Sequence, residues 1–197
     1  MNMEKIEKAI DVLNEGGIVI FPTDTAFGIG CRIDMEDSIE RLFNTRRRPG
    51  TQATPVLVSG TEMAEQYLEE IPREVLEKLI RPYWPGALTI VLRAIKEKVP
   101  SLVRGGGDNL GVRMPDSKIA LELIKGTQVP ILGPSANFHG DRTPYEFSQI
   151  DKELIKKVDF VLEGSTKGNN LASTVIDCTV KPWNILRQGV LEVKIDL

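Results

Sequence analysis

Ile18-Val19-Ile20-Phe21-Pro22-Thr23-Asp24-Thr25-Ala26-Phe27-Gly28-Ile29-Gly30 is an apolar run that breaks at a proline into hydroxyls, a carboxylate and glycines. Four apolar, β-prone residues between Gly16-Gly17 and Pro22 predict a short buried strand, and proline, which has no amide to donate, ends its ladder. Beyond it Thr23, Asp24 and Thr25 offer two hydroxyls and a carboxylate, while Gly28 and Gly30 allow a ligand to approach the backbone closely. The same residues describe an ordinary strand-to-loop turn capped by Asp24. The local pattern leaves both readings open.

Working outward, Ile6, Ala9, Ile10 and Leu13 recur at helical spacing over residues 4–15, and Gly16 supplies the stop. Downstream, Asp34 is expected to cap a second helix whose inner face is Ile39, Leu42 and Phe43 and whose end is Thr45-Arg46-Arg47-Arg48-Pro49-Gly50. Arginines there complement the helix dipole as a solvated cap. Alternatively, Pro49-Gly50 turns the chain so that guanidinium groups project together toward a phosphate or carboxylate, which they grip in pairs of hydrogen bonds; in either case Arg46 and Arg48 point differently from Arg47.

Further strands are expected over 55–59, 87–92, 110–112, 129–133, 158–162, 171–177 and 184–187, with a closing β-run over 190–195. Two short helices divided by Pro72 fill 61–81, a third follows Pro115 with Ile119, Ala120, Leu123 and Ile124 inward, and a fourth covers 145–157. Trp84 reads as core, and Arg104–Asn109 as a flexible loop. Several strands end in polar groups: Arg113 follows one, Ser135 and Asn137 another, and Arg187 a third.

Composition excludes several chemistries. The chain has 197 residues, 41% hydrophobic, enough for a sizeable core. A net charge of −3 argues against a wholesale nucleic-acid binder. Two cysteines without CxxC spacing argue against a disulfide framework or zinc ribbon, and the cytoplasm is the expected compartment. The single histidine, His139, beside Gly140 and without G-x-S-x-G, reads as an exposed loop residue rather than a general base. Neither a P-loop nor G-x-G-x-x-G occurs after a strand, so any nucleotide site must be built otherwise. No run approaches membrane-spanning length.

Alternating strands and helices without a repeat predict one α/β domain over residues 1–197, a twisted mixed sheet flanked by helices with the ligand pocket at strand ends. Those ends carry Thr23/Thr25, Arg46/Arg48, Arg113, Ser135/Asn137 and Ser173/Arg187, a set suited to phosphates and a carboxylate.

The segments PTDTAFGIG, RRRP, YWPGALTIVL, GVRMP, GPSANFHG, STVID and ILRQG, in this order over nearly the whole chain, resemble the YrdC/TsaC family. Its members are L-threonylcarbamoyladenylate synthases acting in threonylcarbamoyladenosine (t6A) tRNA modification. The resemblance implies condensation of L-threonine, bicarbonate or CO2, and ATP into threonylcarbamoyl-AMP with release of pyrophosphate. It implies Thr23, Arg113, the Gly133 backbone and Ser173 as the L-threonine set, with Arg113 pairing the carboxylate. Arg46, Arg48, Asn109, Ser135, Asn137, Thr143 and Arg187 match nucleotide and phosphate contacts, Arg46 and Arg48 being the catalytic pair. Mg2+ is implied with ATP, held mainly by phosphates.

The chain departs from the family where Arg46 replaces the usual lysine and Ser59 a histidine found in some relatives. It resembles the short, single-domain form, which implies hand-over of the intermediate to a separate threonylcarbamoyl-transferase complex and some contact with tRNA. An RNA-binding module around Arg46–Arg48 and a carbamoyl-adenylate enzyme like the hydrogenase-maturation relatives are the alternatives.

Overall fold

The computed structural model describes residues 3–167 and 170–193. Helix α1 (Met3–Asn14) buries Ile6, Ala9 and Leu13, and Gly16, at φ +85°, ends it in the left-handed region open to glycine. β1 (Val19–Pro22) is buried throughout, as its composition requires. The chain then reverses at once. β2 (Phe27–Gly30) pairs with β1 antiparallel, Val19 opposite Gly30 and Pro22 opposite Phe27.

The expected loop after Pro22 is therefore only the turn Thr23–Ala26 of a hairpin. Pro22 remains in register because a strand end needs no amide on the side where its ladder stops. Helix α2 (Glu36–Thr45) buries Ile39, Leu42 and Phe43 as expected, but Met35 occupies its N-cap without a side-chain bond. Asp34 does not cap it, because its carboxylate pairs with Arg32.

The remaining strands are β3 (Val56–Leu57), β4 (Leu88–Arg93), β5 (Asn109–Arg113), β6 (Ile131–Leu132), β7 (Phe160–Val161), β8 (Thr174–Asp177) and β9 (Asn184–Arg187). They form two mixed sheets, β2-β1-β7 and β6-β3-β5-β4-β8-β9, neither closed into a barrel. The sheets meet where Ile29 N donates to Pro134 O and Leu132 N to Cys31 O. Helix α3 (Lys118–Thr127) packs against α1, and Ser117 caps it.

Three further expectations are corrected. Residues 145–157 are not one helix but a single 3-10 turn, Phe147–Gln149, and the short helix Lys152–Ile155. Asn109 belongs to β5 rather than a loop, since it pairs with Arg93. No strand forms over 190–193, where Val190 N and Leu191 N bond instead to Ala172 O and Thr174 Oγ1; residues 194 and 195 lie outside the described residues. Trp84 is core, as expected, its ring nitrogen donating to Leu88 O at 2.9 Å.

Candidate anion and amino-acid site

One cavity of about 160 Å³ opens where the β1–β2 turn, the end of α2 and the ends of β5, β6, β8 and β9 converge. Thr23, Arg46, Arg48, Arg113, Gly133, Ser135, Thr143, Ser173 and Arg187 all line it. Nine of the residues selected from sequence are thus gathered at one place, although they span more than 160 positions of chain.

The hairpin turn positions the first group. Thr23 Oγ1 accepts from Thr25 N and Ala26 N, both at 3.2 Å, and donates to Ala26 O at 2.7 Å. Its hydroxyl hydrogen and both acceptor positions are spent closing the turn, so toward a ligand Thr23 offers chiefly its methyl group. The turn also aims Asp24 and Thr25 at Arg113. Arg113 Nη2 donates to Asp24 Oδ1 at 2.5 Å, Nη1 to Thr25 Oγ1 at 2.8 Å and Nε to Gly86 O at 2.9 Å. Three of its five N–H groups are committed, leaving two for a ligand. Burial lowers the Arg113 pKa and the Asp24 charge opposes that.

The second group comes from the end of α2. Arg46 continues the helix, Arg47 takes a left-handed conformation at φ +55°, and the chain turns. Consequently Arg46 and Arg48 reach the cavity while the Arg47 guanidinium lies 4.4 Å from the centre of the Phe138 ring. Arg46 is 2% exposed, and its Nε donates to Asn137 O at 3.0 Å. Its Nη1 has no hydrogen-bond partner. Burial, then the neighbouring Arg48, pushes Arg46 down to about 10. It remains a cation at neutral pH, buried without a counter-ion among the described residues, which is a strong electrostatic preference for an anion.

The third group is a hydroxyl chain. Arg187 Nε donates to Ser173 O at 2.9 Å and its Nη2 to Ser173 Oγ at 3.0 Å, and Thr89 Oγ1 lies 2.9 Å from the same oxygen. Burial, then Arg113, lowers the Arg187 pKa. Among the described residues no carboxylate lines the cavity, so four guanidinium groups face it and Asp24 is the one carboxylate there that pairs with any of them.

Two selected residues are not brought into the cavity. Asn137 Oδ1 accepts from Ser135 Oγ at 2.5 Å and its Nδ2 donates to Phe138 O and Asp141 O, so its amide is used up as a brace behind Ser135 and Arg46. Asn109 sits at the opposite end of β5 from Arg113, about 13 Å along the strand. His139 is exposed, as expected. Sequence reasoning missed Thr89 and the Arg113 partner role of Asp24. A lone hydroxyl inside the apolar run Leu88–Leu92 was the available signal for Thr89.

Fold and site together define a mixed α/β domain whose strand ends converge on a cationic, hydroxyl-lined cavity. The chain belongs to the Sua5/YciO/YrdC family: the family profile described as "Sua5_yciO_yrdC: Telomere recombination" matches residues 11–189. A Pyrococcus abyssi protein named threonylcarbamoyl-AMP synthase is 36% identical over 190 residues, covering 96% of this chain and 55% of its own. The crystal structure of P. abyssi Sua5 complexed with L-threonine matches with a TM-score of 0.92 at 36% identity, over 97% of this chain and 56% of that one. Escherichia coli YciO matches at 0.88 and 26% identity, over 100% of this chain and 94% of that one. The chain spans about half the length of the P. abyssi and Bacillus subtilis relatives.

Proposed function

We propose that this chain forms threonylcarbamoyl-AMP and pyrophosphate from L-threonine, bicarbonate or CO2, and ATP, for t6A modification of tRNA. The observation that carries the reading is the unpartnered Nη1 of buried Arg46, set beside Arg48 in a cavity with three hydroxyl-bearing strand ends. The relatives' names and the L-threonine complex of the P. abyssi protein support the choice of substrate.

In this reading a carbamate oxygen formed on the L-threonine nitrogen attacks the α-phosphorus of ATP, and pyrophosphate leaves. Negative charge spreads over the phosphoryl oxygens in the transition state. Fixed cations in a water-poor site stabilise that charge without reorganising, and no protein nucleophile is needed. Arg46 and Arg48 serve the phosphoryl group, with Ser135, Thr143 and Arg187 on the nucleotide. The two free N–H groups of Arg113 take the amino-acid carboxylate, beside Thr23, the Gly133 backbone and Ser173. The cavity is below the roughly 300 Å³ of a drug-sized pocket, so it suits the amino acid, and the nucleotide extends over its mouth.

The donor set does not fit a protein-held metal. Among the described residues no group of three or more His, Cys, Asp or Glu side chains gathers to bind one, and Asp24 is committed to Arg113. Mg2+ belongs to this proposal only as a companion of ATP, on the phosphates. Transfer of the product to a separate threonylcarbamoyl-transferase complex and contact with tRNA complete the reading. No helix among the described residues is long and apolar enough to cross a membrane. Incubation with L-threonine, bicarbonate, ATP and Mg2+ should yield threonylcarbamoyl-AMP by mass spectrometry together with pyrophosphate. Absence of both beside an active control enzyme would end the proposal.

A further inference from the structure

Thr89 lies between Leu88 and Ile90 of β4, is 3% exposed and lines the cavity. Its β-branched side chain has one geometry: the methyl group lies toward Gly111, and the hydroxyl oxygen is 2.9 Å from Ser173 Oγ. Arg187 Nη2 donates to that same Ser173 oxygen, and a guanidinium cannot accept.

Counting hydrogens then constrains the pair. Each hydroxyl carries one hydrogen, so the pair holds two. One bridges the two oxygens. The other has no protein acceptor among the described residues, since neither oxygen makes a further hydrogen bond in which it donates. Both side chains line the cavity, so the spare hydrogen is directed there. Whichever of the two oxygens donates in the bridge, the pair faces a ligand as a donor.

We propose that Thr89 is a positioning residue for the amino-acid substrate. It locks the Ser173 hydroxyl so that the Thr89–Ser173 pair gives its spare hydrogen to an acceptor oxygen of the amino acid. The spare hydrogen thus favours an oxygen of the amino acid where β4 and β8 lie side by side. This rests on the synthase reading for the identity of the ligand.

The test is calorimetric titration of L-threonine into wild-type protein, Thr89→Val and Thr89→Ser, with thermal melting to confirm folding. Valine keeps the shape and removes the hydroxyl. It should weaken L-threonine binding about tenfold, while serine restores it to within about twofold. In the synthase assay the valine variant should raise KM for L-threonine and leave KM for ATP unchanged, a split that general loosening of the fold would not give. Thr89→Ala gives the same comparison if the valine variant does not fold.

Wild-type affinity in the valine or alanine variant would overturn the inference, as would a serine variant as weak as valine. Wild-type protein that binds L-threonine but forms no product counts against the synthase reading alone. A working synthase whose Thr89→Val variant binds L-threonine normally counts against Thr89 alone, and wild-type protein that does not bind L-threonine overturns both.

Discussion

Arg113 Nη2 stands 2.5 Å from Asp24 Oδ1, with the two side chains 7% and 4% exposed, so a buried ion pair ties the β1–β2 turn to the end of β5. Removing one partner of such a pair leaves a stranded charge and typically costs about 3–5 kcal/mol. Asp24→Ala should therefore lower stability by about that amount in urea unfolding, and Asp24→Asn, which keeps an acceptor, by less. The double variant Asp24→Leu/Arg113→Met should recover much of the loss while remaining inactive. A double variant less stable than Asp24→Ala would show that shape, not charge, governs this contact.

Arg46 presents the opposite arrangement, a buried cation without a carboxylate. Its pKa of about 10 lies below the ordinary arginine value, so burying the charge costs stability at every pH below about 10. Arg46→Met removes that cost and should melt no lower than wild type in anion-free buffer. Pyrophosphate should raise the melting temperature of wild type and leave the methionine variant unmoved. Equal shifts in the two proteins would place the anion elsewhere.

Neighbouring arginines should separate cleanly. Arg47 contributes its stacking on Phe138, worth about 0.5–1 kcal/mol at an exposed position, and its head group is turned from the cavity. Arg47→Ala should cost about that much stability and leave product formation near wild type. Arg48 lines the cavity and is held by Gln52 O at 3.2 Å and Ala53 O at 2.5 Å. Arg48→Ala should lower kcat/KM at least about tenfold, the scale of losing one charge-assisted contact. Similar losses at both positions would contradict the observed orientations.

On the acid side, Asp159 accepts from Arg41 and, at 2.6 Å, from Ile18 N at the start of the first sheet. The Arg41 hydrogen bond is the larger cause holding its carboxyl below the ordinary aspartate value. A depressed folded-state pKa gives stability that is present above about pH 3.9 and lost as pH falls through the folded value. Its side chain is 38% exposed, so screening should keep the effect below about 1 kcal/mol. Asp159→Asn should be less stable than wild type at pH 6, and the gap should close toward pH 2. A gap that widened with acid would reverse this assignment.

How much of this was legible depends on the range of the interaction. The apolar runs Ile18–Phe21 and Ala87–Leu92 carry their own period, and the Arg46–Arg48 fan follows from a helix end next to Pro49-Gly50. The second strand of the hairpin was hidden because Phe27-Gly28-Ile29-Gly30 has glycine where a strand would carry side chains, and glycine reads as loop. The brace role of Asn137 was equally illegible. Its partners at Arg46 and Asp141 are settled by packing, and its side chain looks the same in sequence whether it meets ligand or backbone. Residues 190–193 have β-prone composition, but the Thr174 hydroxyl and Ala172 carbonyl take their amides before a ladder can form.

The two glycines of β2 do different work, and substitution separates them. A Cβ at Gly30 would stand 2.2 Å from Leu132 O, a backbone atom of β6 that cannot turn aside. Gly30 is thus the point where the two sheets approach, rather than an opening for a ligand. At Gly28 the nearest atoms are the edge of the Phe21 ring at 3.3 Å, and a ring can yield by a few tenths of an ångström. Neither glycine has positive φ, so the cost in each case is steric. Gly30→Ala should lose about 1–3 kcal/mol or more in urea unfolding, the scale of overpacking a core. Gly28→Ala should stay within about 1 kcal/mol of wild type and, because Gly28 lines the cavity, show its effect mainly in KM for L-threonine. Equal losses of stability at the two positions would mean that the sheets do not meet at Gly30.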